Sequence, residues 1–80
     1  MITFKELVEH HNGTVRANNH GHGWFGLDIE FPTLADGQHF SYAAQQKCWS
    51  TIIATVQHIG DHKTTDAVLY YVCVSDTVSL

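Results

Sequence analysis

The sequence predicts a small α+β protein, a single domain over residues 1–80, with a mostly antiparallel sheet and one long helix packed on one of its faces. Three observations lead there. The chain has 80 residues, too few for two independent cores. Hydrophobic residues make up 44% and charged residues 15%, the balance of a folded module rather than a disordered one. Stretches with a period of two alternate with stretches of helical period, which gives the order α-β-β-β-α-β.

Met1–Gly13 reads as a short helix. Thr3 and Glu6 form a T-x-x-E capping box, Phe4, Leu7, Val8 and His11 share one face, and Asn12-Gly13 supplies a left-handed stop. Thr14–Asn18 and Trp24–Phe31 read as strands. In the second, Phe25, Leu27, Ile29 and Phe31 alternate with Trp24, Gly26, Asp28 and Glu30. Residues 19–23, N-H-G-H-G, read as a loop longer than a two-residue turn. Pro32 ends the pairing, and Ala35-Asp36-Gly37 reads as a turn.

Gln38–Tyr42 fits a third strand that runs into a helix over Ala43–Ile59, where Ala44, Cys48, Ile52, Val56 and Ile59 form a stripe flanked by Trp49 and Ile53. Ser41 as the cap of that helix is the alternative. Gly60 would stop it. Ala67–Ser75 is apolar on both faces, which predicts a central strand covered on both sides, with Asp76–Leu80 as a tail. No sequence repeat or linker is visible.

The composition also limits the function. A net charge of −4 disfavours a ligand gripped through phosphates. No run approaches the roughly 18 apolar residues of a membrane span, and the N-terminus lacks a basic segment followed by an apolar one, so a cytoplasmic location is expected. Cys48 and Cys73 sit in apolar runs and read as reduced, buried thiols; a disulfide between helix and strand is the alternative. No serine lies in G-x-S-x-G, and no catalytic signature is present, so the protein is not expected to be an enzyme. Residues 21–26 spell G-x-G-x-x-G, but they lead into a strand, where no helix N-terminus can receive a phosphate. No cofactor is expected.

Seven histidines make the charge sensitive to pH. His20 and His22 flank a glycine, and His58 and His62 are four apart, so the four together could ligate a metal ion. Gly60 between the second pair works against that geometry. Asp28 and Glu30 lie about 7 Å apart on one strand face, a spacing that solvated surface acids share with acid–base pairs. They share that face with Trp24, and an aromatic beside carboxylates suits contact with a basic protein surface.

Over residues 3–59 the α-β-β-β-α order resembles that of double-stranded-RNA-binding domains, including the histidines, here His20 and His22, after the first strand. Those domains grip phosphates with lysines at the start of their second helix. Residues 43–47 read A-A-Q-Q-K, with one positive charge, so the resemblance is one of topology and direct nucleic-acid binding is not expected. In size and charge balance the chain is similar to compact acidic inhibitors, such as phage anti-defence proteins of the anti-CRISPR kind and immunity proteins. The expected function is therefore non-catalytic: protein–protein contact through Trp24, Asp28 and Glu30 that blocks a basic nucleic-acid-handling protein. A histidine metal-binding module, and an accessory subunit or homodimer joined through the outer sheet face, are the alternatives.

Overall fold

A computed structural model describes residues 3–46, 53–61 and 66–78. The elements run α1 (Phe4–His10), β1 (Thr14–Gly21), β2 (Trp24–Phe31), α2 (Leu34–Gln46), β3 (Ile53–Asp61) and β4 (Val68–Ser75). The four strands form one antiparallel sheet in the order β1-β2-β4-β3. The α+β class and the antiparallel sheet are as the sequence predicts, and β4 does enter the sheet interior. The order of the middle elements differs: among the described residues it is α-β-β-α-β-β, two successive αββ units, and the longer helix has 13 residues.

α1 forms as its pattern dictates. Thr3 Oγ1 accepts from the Glu6 amide at 3.1 Å, and Glu6 Oε1 accepts from the Thr3 amide at 3.4 Å, which completes the capping box. At the other end Asn12 adopts φ 63°. The Asn12 amide donates to the Glu9 carbonyl and the Gly13 amide to the Val8 carbonyl, the paired bonds of a Schellman stop. Phe4, Leu7 and Val8 are buried and His11 is half-buried, all on the predicted face.

The expected loop at 19–23 is instead a continuation of the β1–β2 hairpin. Gly21 pairs with Trp24, leaving a two-residue turn of His22 and Gly23. Both have positive φ, 54° and 83°, the type I′ geometry whose twist matches the flanking strands. Gly23 adopts that conformation without strain, and His22 occupies the position that asparagine more often fills.

The third strand expected at Gln38–Tyr42 does not form, nor does the turn at Ala35–Gly37; both segments lie within α2. Thr33, just after Pro32, caps that helix: its Oγ1 accepts from the Asp36 amide at 3.2 Å. Gly37, Phe40 and Ala44 are buried at helical spacing, whereas Tyr42 is 69% exposed, the reverse of what a strand phased on Phe40 and Tyr42 would give. Gly37 is needed for the packing. A Cβ there would overlap Tyr70 Cε1 and lie 3.1 Å from Val68 Cγ2, so α2 settles against β4 only because residue 37 has no side chain.

The helix expected over Ala43–Ile59 is also corrected: α2 ends at Gln46, and Ile53–Asp61 is strand β3. Two register shifts in β3, at Ile53/Thr55 and His58/Gly60, explain the misreading. The first bulge puts Ile53 and Val56 on the same face three residues apart, a spacing that mimics a helical turn. Cys48, Trp49 and Ile52 of the expected stripe lie outside the described residues. With the third strand replaced by a helix, the α-β-β-β-α order shared with double-stranded-RNA-binding domains is absent as well.

One core joins both helices to one face of the sheet. Phe4, Leu7, Val8, Phe40 and Ala44 meet Leu27, Ile29, Phe31, Ile53, Val68, Tyr70, Val72 and Val74. Phe40 is its hub, 5.0 Å from the Phe31 ring and edge-on to Phe4 at 6.2 Å. Among the described residues, no helix is long and apolar enough to cross a membrane.

Candidate interaction face

Because both helices pack on one side of the sheet, the other side carries its own set of side chains. β2 contributes Trp24, Gly26, Asp28 and Glu30, and β4 contributes Leu69, Tyr71, Cys73 and Ser75. Pairing sets these in rows: Ala17, Asp28, Tyr71 and Gln57 stand side by side across the four strands, as do Asn19, Gly26, Cys73 and Thr55. The three residues singled out from the sequence therefore share one face. Trp24 and Glu30 are separated by six residues of strand, about 20 Å.

The burial of β4 defines this face. Along the strand, buried residues alternate with half-buried ones: Val68, Tyr70, Val72 and Val74 are inside, while Leu69, Tyr71, Cys73 and Ser75 are partly open. β4 is central, as its composition predicts, but among the described residues only one of its faces is covered. An apolar face left partly open on a central strand departs from the polar-out alternation usual for one-sided sheets. Tyr71 lies over Gly26, with its hydroxyl 2.7 Å from where a Cβ would stand. An aromatic ring laid across a strand glycine in this way covers backbone that would otherwise meet water.

The two carboxylates differ. Glu30 Oε1 accepts from Arg16 Nη2 at 2.6 Å and from Arg16 Nε at 3.2 Å, a pair spanning β1 and β2. Much of its charge is met within the chain. Asp28, between Ala17 and Tyr71, has no ion-pair partner among the described residues. Trp24 is 37% exposed at the hairpin end, and no described helix lies on its side of the sheet. Tyr71, Leu69 and Cys73 were not singled out from the sequence because a strand apolar on both faces reads as wholly interior. Their signal was the predicted count of one packing helix, which can cover only one face.

The histidines are dispersed. His20 Nε2 lies 2.8 Å from Asp76 Oδ2, and the Asp76 amide donates to the Gly23 carbonyl at 3.0 Å, so the hairpin tip is tied to the turn after β4. His22 is in the turn itself. His58 is on β3, stacked on Tyr70 at 5.2 Å, and not on a helix. His62 lies outside the described residues. β1 and β3 are opposite edges with two strands between them, about 14 Å apart, so His58 does not meet His20 and His22 around one ion. Among the described residues, no three His, Cys, Asp or Glu side chains converge as metal ligands do.

A different histidine group forms where α1 meets α2. His11 stacks edge-on against His10 at 5.1 Å and Phe40 at 6.3 Å. Burial holds its pKa below the usual histidine value, the nearby His10 and His39 lower it further, and Asp36 partly offsets them.

No family model, curated protein or solved structure matches this chain.

Proposed function

We propose that the protein is a non-catalytic binding module that docks on a basic protein surface through its open sheet face. The observation behind this reading is the half-open apolar side of β4, where partly open Leu69 and Tyr71 stand opposite Glu30 and Asp28, and Cys73 lies between them and the Trp24 end of the sheet. Aromatic and apolar side chains set beside polar and acidic ones on one face make a composition suited to protein contact. Asp28 supplies the charge that a partner's lysine or arginine would meet, since Glu30 already holds Arg16. The net charge of −4 adds long-range attraction toward a basic partner. Occlusion of a surface that otherwise holds nucleic acid is the mechanism that fits such a module, by contact and without chemistry.

The test compares two variants with the same change in charge. Proteins captured from the source organism's extract by the wild type are purified, and their affinities are measured against Asp28→Lys and Glu9→Lys. Asp28→Lys, on the open face, is expected to weaken binding roughly ten-fold at low salt, and Glu9→Lys, on the helical side, to weaken it far less because it loses only the long-range attraction. Equal affinity for wild type and Asp28→Lys, with both folded by circular dichroism, would overturn the assignment.

A further inference from the structure

The two edges of the sheet are not equivalent. β3 is interrupted by register shifts near both ends, which kink its outer edge and hinder further pairing. β1 has a single shift, at Val15/Ala17, and then runs regularly from Ala17 to Gly21. Seven of its eight residues are exposed, and its outer edge has no strand partner among the described residues. Alternate backbone amides and carbonyls along it face outward, a template for another strand.

The β1 edge is also undercut on the helical side. Between α1 and β1 lies a groove of about 350 Å³, floored by Phe4, Val8 and Val15 and rimmed by Lys5, Glu9 and Asn18. Val15 faces the helices yet is 43% exposed, so the core layer thins out here before the sheet ends. A strand added beside β1 would send its alternate side chains toward this groove and close it.

The rim indicates which strand. Lys5 and Glu9 are one helical turn apart on α1, with opposite charges, and both line the groove. A two-fold axis that pairs β1 with itself antiparallel keeps both α1 helices on the same side of the sheet and runs them in opposite directions. With that axis level with the middle of α1, beside the Val15–Asn18 stretch of β1 that lines the same groove, each Lys5 faces the partner's Glu9, at two equivalent positions. The motif is complementary to its own rotated copy, as an isologous interface requires.

We propose that the β1 edge and the groove beneath α1 form a self-association surface, on which a second copy of this chain pairs antiparallel through β1 to give one continuous eight-stranded sheet. This surface is separate from the open sheet face and does not depend on what that face binds. The pairing leaves both open faces on one side of the joined sheet and free.

A charge swap on the intact chain tests it, with sedimentation over a concentration series as the readout and circular dichroism confirming that each variant folds. Both positions are exposed, and the swap places acid nearer the helix start and base nearer its end, which favours α1 through its dipole. The wild type is expected to dimerise with concentration. Lys5→Glu alone and Glu9→Lys alone put like charges together twice in each dimer and raise the dimer dissociation constant about ten-fold. The double variant Lys5→Glu/Glu9→Lys restores the wild-type value, because each pair is re-formed with its signs exchanged. A wild type that stays monomeric up to millimolar concentration would overturn the proposal. So would dimerisation that ignores the single charge reversals, or that is abolished by Trp24→Glu on the open face instead.

Discussion

At the level of single residues, Gly37 shows tertiary contact overriding local preference. In an exposed helix, replacing glycine by alanine stabilises by about 1 kcal/mol. Here the added Cβ would run into the Tyr70 ring and crowd Val68. Forcing a methyl into a packed site costs about 1–3 kcal/mol, so Gly37→Ala is expected to destabilise the domain by about 1–2 kcal/mol, read as a lower denaturant midpoint. In a Tyr70→Leu background the same substitution should cost less, because its obstacle is gone; equal costs in the two backgrounds would show that the ring is not what requires glycine. This residue also misleads a reader of the sequence. Ala35-Asp36-Gly37 after Pro32 has turn chemistry, and nothing local reveals that the glycine is there for Tyr70.

Among the elements, α1 was fully legible because its information is local: a capping box, three apolar residues on one face and an Asn-Gly stop. β2 was legible from its period-two alternation, and β4 from a continuous apolar run, the pattern of a central strand. β3 was not, since its bulges change the spacing of inward residues from two to three at Ile53 and Val56. Of the candidate face, the sequence revealed the β2 contribution and hid that of β4, whose exposure depends on which side the helices take. The contact between α1 and α2 carries its own pH dependence. His11 is held below its ordinary pKa of 6.5 when folded, so near that pH the unfolded chain binds more protons than the native one. Stability contributed by neutral His11 is complete above pH 6.5 and is lost as pH falls from there through the lowered folded value. Urea unfolding at steps from pH 7.5 to 5 should show the wild-type midpoint falling more steeply than that of His11→Phe, which keeps the ring against Phe40. Parallel curves would place the acid sensitivity elsewhere, among the remaining histidines.

For the molecule as a whole, the two αββ units meet along the β2–β4 ladder, from Trp24 opposite Ser75 to Phe31 opposite Val68. Within each unit, the strands pair with chain neighbours. Across the ladder, the partners are far apart in sequence, and everything in the core converges on it. That arrangement dictates the order of folding. A two-stranded hairpin is marginal in water, so neither unit gains much until the ladder closes, and closing it carries the largest loop entropy in the chain. The rate-limiting encounter is therefore the meeting of β2 and β4. Substitutions on the ladder, such as Val72→Ala, should slow refolding in stopped-flow experiments. Leu7→Ala on α1, a seven-residue helix that docks afterwards, should mainly hasten unfolding. If Leu7→Ala slowed refolding as much as Val72→Ala did, α1 would belong to the nucleus. Until the ladder closes, the chain is two incomplete halves, each presenting one open edge of a central strand, so the speed of that one step sets how long the protein is exposed to misassembly with other copies of itself.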